Sequence, residues 1–478
     1  MKRFSPFILC VLPLMSACTQ SVPQIDTQLT CDAPIFPDYK SVTLPCNLAP
    51  VRFGLADSCS YDKALAVFST SQDVVTMEAS HNSFDISESK WHKLTSRVGK
   101  IEVRVMFQKN GKWTSYKPFE IQISPDSVDS HIAYRLIEPG YEYWYEMGLY
   151  QRDLETFTEK SIINNRQTDG GCMNCHSFRQ NNPDEMSFHL RKDFGGTYLV
   201  RHGETVKLPT GQSGMPASLV YPYWHPTGKY IAYSVNDTKQ VFHTNNRNRI
   251  EVFDYKSDVV VYDVEQGKAL SNHAICAPGH FETFPTFSPD GRTLFFCSAD
   301  SLKMPDEYDH LQYSLCATSF DPETGTIGTA VDTLYNIYNE GGSVSFPRVS
   351  PDGQRLVFTR AGYGNFSIWH RDADLYELNL NTKEVKPIDA INSDEVDSYH
   401  SWSSNGRWLI FSSRRMDGLY TRPFITHVDA EGNYTKPFPV PQADAHYYDR
   451  LMKSYNVPEF IKGEIPTGSN EMLKEIRK

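Results

Sequence analysis

The chain has 478 residues, with 47 Lys and Arg against 58 Asp and Glu, a formal charge of −11 at neutral pH. That acidic balance argues against nucleic acid as a partner, because phosphate backbones call for a basic surface. The length exceeds one ordinary hydrophobic core, so two or three domains are expected. No run beyond the N-terminus approaches the eighteen or so uncharged apolar residues of a membrane helix.

In chain order, Lys2 and Arg3 open the sequence, Phe4 to Leu14 are mostly apolar, and Met15-Ser16-Ala17-Cys18 follow. This resembles the bacterial lipoprotein signal, which implies removal of residues 1–17 and a lipid on Cys18. Thr19-Gln20 after the cysteine imply an outer-membrane address, so the expectation is a periplasmic protein anchored by lipid to the outer membrane. Residues 18–30 read as a polar tether. Residues 31–129 read as a β-sandwich: Ile101, Val103, Val105 and Phe107 alternate with polar residues, Asn110-Gly111 offers a hairpin turn, and Phe119, Ile121 and Ile123 alternate again. Cys31, Cys46 and Cys59 are candidates for a disulfide in an oxidising compartment.

Residues 130–214 read as a linker, with an aromatic cluster over Tyr141–Tyr145 and a short helix over Leu149–Lys160 leading to the most informative stretch, Cys172-Met-Asn-Cys175-His176. Cys-x-x-Cys-His is the attachment pattern of c-type haem, with two thiols adding to the vinyl groups and the histidine ligating iron. The cofactor expectation is therefore haem c, covalent through Cys172 and Cys175, with His176 as proximal ligand. Met186, ten residues on, or His189 would be the distal ligand, and a thioether would set a higher potential than a second imidazole. His202, His225, His280 and His400 are further candidates. The alternative is a Cys-x-x-Cys disulfide or structural metal, although no second Cys-x-x-Cys or His-x-x-x-His completes a zinc set.

Beyond residue 215 the chain repeats. Trp224-His-Pro-Thr-Gly228, Phe287-Ser-Pro-Asp-Gly291, Val349-Ser-Pro-Asp-Gly353 and Trp402-Ser-Ser-Asn-Gly406 each put an apolar residue and a glycine-closed turn before a buried strand. This predicts a β-propeller of about six blades over 215–440, followed by a helical tail over 441–478. The phrase Ser-Pro-Asp-Gly-x-x-Leu-x-Phe, present as Ser288–Phe296 and Ser350–Phe358, resembles the TolB-type propellers. The order of the parts resembles Gram-negative envelope lipoproteins labelled cytochrome c or cytochrome c biosynthesis proteins. The resemblance implies a mainly β protein: a sandwich, a short helical haem-motif linker and a TolB-like propeller. It also implies a monohaem electron-transfer function, with the propeller as docking platform for a redox or envelope protein partner. The alternative is a non-redox envelope scaffold or binding protein that uses the propeller to recognise protein or peptide. No Gly-x-Ser-x-Gly elbow, Walker loop or His-Glu-x-x-His occurs, so hydrolase chemistry is not expected.

Overall fold

The structure, a computed structural model, describes residues 22–56, 60–96, 99–139, 145–212, 214–246 and 248–478. The signal segment, Cys18, Cys59 and most of the Tyr141–Tyr145 cluster lie outside the described residues. The protein is mainly β, and a propeller occupies most of it. Among the described residues no helix is long and apolar enough to cross a membrane.

Six radial sheets make the propeller. Their inner strands are Met173–Phe178, Val220–Trp224, His280–Phe287, Ser343–Val349, Asp397–Trp402 and Ser454–Ile461, and each touches the next around a closed ring. We number the blades from the one whose inner strand comes last in the chain. Blade one joins the inner strand Ser454–Ile461 to His131–Ile137, Met147–Asp153 and Glu159–Asn164. Blades two to six then begin with the other five inner strands in chain order. Strands from the two halves of the chain thus complete one sheet, and this pairing closes the ring.

The four glycine turns lie where the inner strand of blades three to six hands over to the second strand. Gly228, Gly291, Gly353 and Gly406 have φ of 74°, 71°, 72° and 67°, the left-handed region that a side chain would strain. The residues before them tie the turn. Ser288 Oγ donates to Asp290 Oδ1 at 2.5 Å and accepts from Thr293 N at 3.0 Å, while Arg292 N donates to Asp290 Oδ1 at 3.0 Å. Ser350 with Asp352 and Ser403 with Asn405 repeat the arrangement. In Trp224-His-Pro-Thr-Gly228 the His225 ring replaces the serine, its Nδ1 lying 2.8 Å from Thr227 Oγ1. A histidine offered above as a possible haem ligand is a turn residue.

Two stretches differ from expectation. Residues 130–214, expected as a linker with a helix, carry the three outer strands of blade one and all of blade two, Met173–Phe178, Glu185–Leu190, Gly196–Arg201 and Glu204–Lys207. The helix expected over Leu149–Lys160 is instead the end of one strand and the start of the next. Buried Leu149, Gln151 and Arg152 face sheet neighbours on both sides, so strand pairing overrides a local helical pattern. The tail 441–478 carries the closing strand, with helix over Tyr447–Arg450 and Ser469–Ile476.

The N-terminal part is built from a seven-stranded and a three-stranded sheet. Asn110 and Gly111, both at positive φ, turn the hairpin between Gly99–Lys109 and Lys112–Lys117. The two sheets share an apolar core with the helix Glu88–Thr95, whose buried Trp91 donates from Nε1 to Leu48 O at 2.9 Å. That core runs on without a break into Trp408, Ile410, Ile425 and Phe438 of blade six, so the N-terminal part packs directly on the propeller. Cys31 and Cys46 are free thiols.

Candidate functional site

The propeller axis is where the six blades bring their chemistry together. Each inner strand carries a β-bulge at the same place, where two of its residues oppose one on the neighbouring strand: Cys175-His176, Tyr221-Pro222, Phe284-Pro285, Phe346-Pro347, Tyr399-His400 and Val457-Pro458. The first residue of every pair has a left-handed φ, between 49° and 52°. A conformation that is uncommon for such residues recurs once per blade, and it aims the six side chains at the axis.

Four of the six are aromatic and interlock. Tyr221 meets Phe284 at 4.6 Å between ring centroids, Phe284 meets Phe346 at 4.0 Å, and Phe346 meets Tyr399 at 4.7 Å. With Cys175 and Val457 they form a collar around the axis. On the side of the inner strands' N-terminal ends lies a chamber of about 570 Å³, and on the other side one of about 280 Å³. His176, Phe346, Arg348, Tyr399 and Val457 line both.

This geometry reassigns the Cys-x-x-Cys-His stretch. His176 stands where four blades carry proline and blade six carries His400. It is 4% exposed, and both ring nitrogens are buried without a hydrogen bond, facing backbone groups of Val457 and Ala133. Burial, reinforced by the positive charge of Arg135, lowers its pKa to about 4. His400 is the same case: burial lowers it to about 3, and its Nε2 lies 2.8 Å from Val357 O. Cys175 is a collar residue whose thiol pKa burial raises, and Cys172 lies just before the strand on the wall of the larger chamber. The distal candidates lie elsewhere. Met186 is fully buried in the core between blade two and its neighbours, and His189 is held by Thr197 Oγ1 at 3.0 Å. Neither lines a chamber. Among the described residues no three His, Cys, Asp or Glu side chains converge as a metal site. The residues present do not fit a haem, because a ligand histidine would have to leave its buried place in the bulge ring.

The larger chamber also holds groups that motif reading missed. Arg135, Arg191, Arg348 and Arg414 line it, with Trp369 and Phe366 among its apolar walls. Arg414 stacks 3.6 Å over the Trp369 ring, and Arg348, which lines both chambers, lies 5.1 Å from the ring centroid of Tyr223 on the wall of the smaller one. In the smaller chamber Glu459 accepts from Phe178 N at 3.0 Å, and burial pushes its carboxyl up to about 8. The signal that would have found the axis is the tetrapeptide before each turn. Cys175-His-Ser-Phe178, Tyr221-Pro-Tyr-Trp224, Phe284-Pro-Thr-Phe287, Phe346-Pro-Arg-Val349, Tyr399-His-Ser-Trp402 and Val457-Pro-Glu-Phe460 are one repeat.

No protein-family model matches the chain, and no curated protein matches it. Solved structures similar to it include a puromycin hydrolase, with 13% identity, a TM-score of 0.39, and 66% of this chain covered against 52% of that one. An oligogalacturonate lyase in complex with manganese gives 11%, 0.37, and 66% against 74%. A puromycin-hydrolyzing peptidase of Mycobacterium tuberculosis gives 12%, 0.38, and 84% against 57%. This chain spans about half the length of the first of these. At such TM-scores the likeness carries no argument about this chain, whose propeller is read from its own sheets. The Cys-x-x-Cys-His stretch is one of six equivalent bulges, with His176 buried in the proline place. The cytochrome c resemblance, with its haem, iron and electron transfer, is therefore corrected: the chain is a β-propeller protein.

Proposed function

We propose that this protein is a non-redox binding module that receives a peptide, or a peptide segment of another protein, along the propeller axis. One observation carries the reading. The axis is hollow on both sides of the aromatic collar, and its walls combine aromatic side chains with a few polar ones, among them Asn174, Arg348 and Glu459. Aromatic walls with a few placed polar groups are the usual make-up of a ligand pocket. The reading includes the membrane address expected from the first residues, a lipid on Cys18 holding the module at the periplasmic face of the outer membrane.

The test is hydrogen exchange on the mature protein with and without a pool of random hexapeptides. Protection is expected in the inner strands around 173–178, 220–224 and 397–402. Peptides that bind but protect only outer strands would place recognition off the axis and end the proposal. For the address, incorporation of a labelled fatty acid that disappears in Cys18→Ala is the expected result.

A further inference from the structure

We infer that the larger axial chamber is a carboxylate site, so that the ligand of the proposed binding module is an acidic peptide held there by its side-chain or C-terminal carboxylates. The inference rests on the binding reading above and adds the chemistry of the ligand.

Among the described residues, the chamber is lined by four arginines, Arg135, Arg191, Arg348 and Arg414, and by one carboxyl side chain, Glu138. Glu138 is already engaged, because its Oε2 accepts from the backbone N–H groups of Tyr145 and Glu146. The positive excess is local and runs against the chain as a whole, which is net −11. A cationic cleft with low-dielectric walls concentrates anions at one place on a surface that otherwise repels them. The four arginines come from different blades: Arg135 from an outer strand of blade one, Arg191 and Arg414 from the residues just past Glu185–Leu190 and Trp408–Ser413, and Arg348 from the inner strand of blade five. They meet only because the ring closes.

The unsatisfied atoms have the pattern a peptide would complete. Arg135 Nε is a buried donor without an acceptor, while its Nη2 is held 2.9 Å from the Asn456 side-chain oxygen once that amide is oriented to suit its neighbours. His176, more than nine-tenths buried, lines the same chamber, its ring nitrogens turned to backbone groups of Val457 and Ala133. Asn174 Oδ1 is a buried acceptor without a donor. A simple anion would satisfy the guanidinium and leave Asn174 wanting. A peptide brings carboxylates for the arginine cluster, and its apolar parts can lie on Trp369 and Phe366. A chamber of about 570 Å³ is of the size that takes a short peptide.

Calorimetric titration of the mature protein with tri-glutamate, tri-glutamine amide and tri-lysine tests this. Tri-glutamate should bind, weaken as salt is raised, and lose at least tenfold in affinity in Arg191→Gln, an exposed residue whose loss leaves the fold intact. Arg135→Gln should do the same, with unchanged near-ultraviolet circular dichroism as the check on folding. Equal binding of tri-glutamate and tri-glutamine amide would overturn the carboxylate site and leave the binding module standing. Failure of all three peptides would overturn the inference, and the hexapeptide exchange experiment would then decide the module separately. Tri-glutamate bound with undiminished affinity by both arginine variants would overturn the chamber as its site.

Discussion

Replacing His176 by proline is the most direct trial of the bulge ring. Pro222, Pro285, Pro347 and Pro458 occupy the equivalent place in four blades, so the backbone there needs no N–H and tolerates a proline after a left-handed residue. At pH 7.5 the substitution removes two buried, unpaired ring nitrogens, a relief of about 1–3 kcal/mol. It also restricts the unfolded chain, worth about 0.4–1 kcal/mol, and it gives up ring packing worth about 1–2 kcal/mol. The sum runs from about 0.6 kcal/mol less stable to about 3 kcal/mol more stable than the parent. The pH dependence isolates the residue. In the unfolded chain the histidine takes up its proton near 6.5, whereas in the folded protein it does so only near 4. As pH falls through that window the unfolded state therefore binds the proton first, and the parent loses stability that the proline variant keeps. The differential reaches about 1.4 kcal/mol at pH 5.5 and about 2.5 kcal/mol at pH 4.5. His400 and His189, also lowered by burial, titrate in both proteins and cancel in the difference. Urea unfolding followed by tryptophan fluorescence at pH 7.5, 5.5 and 4.5 measures it. Parallel stability curves for the two proteins would refute the burial of His176, and a variant unfolded at pH 7.5 would refute its equivalence to the prolines.

Gly291 and Gly353 share a left-handed φ but not a neighbourhood. An added Cβ meets His225 Nε2 at 2.1 Å in the first, and nothing nearer than Pro289 Cδ at 4.0 Å in the second. Thermal melts should show about 1–2 kcal/mol lost in Gly353→Ala and about 2–5 kcal/mol in Gly291→Ala, and equal losses would contradict the placement of His225. Glu185, 1% exposed, sits between Arg179 and Arg201, so Glu185→Gln should cost about 2–4 kcal/mol in chemical unfolding, and a neutral result would dismiss that triad. Arg422→Met should cost about 3–5 kcal/mol, because its guanidinium donates to Tyr448 O at 3.0 Å, Leu451 O at 2.7 Å and Lys453 O at 2.5 Å, holding the approach to the closing strand. Production alongside a haem-attachment system should yield colourless protein with no haem retained on a denaturing gel, and covalent haem would overturn the reassignment of Cys172 and Cys175.

The propeller was legible where its repeat is strongest, in the glycine-closed turns from Gly228 to Gly406, because a left-handed turn before a buried strand leaves a fixed residue pattern. Blades one and two were not legible in that way. Blade two has Arg179-Gln-Asn-Asn182 in place of the glycine turn, with Gln180 and Asn181 themselves at positive φ, and blade one takes its inner strand from the far end of the chain. The haem reading arose from a coincidence of position. One blade has Cys in the collar and His in the proline place, and a second Cys three residues upstream completes the pattern by composition. Reading the repeat three residues further towards the N-terminus aligns Cys175-His176 with Tyr399-His400. The arginines of the larger chamber were beyond sequence reasoning, since nothing local marks four residues drawn from separate blades.

The way blade one is completed also governs when the protein can form. His131–Ile137 leaves the ribosome with one edge unpaired, and its partner Ser454–Ile461 follows roughly 300 residues later, some tens of seconds at ordinary elongation rates. Throughout that interval an open strand edge with apolar neighbours on either side is a template for the wrong chain. Closing so long a loop is entropically expensive, so it comes late, after the intervening blades have shortened the gap by stacking. The order of assembly is thus set by the topology: blades two to six first, the closing strand last, and the axial chambers only then. A nascent or nicked chain would have intact blades and no binding site, which makes ligand capture a report on completed synthesis.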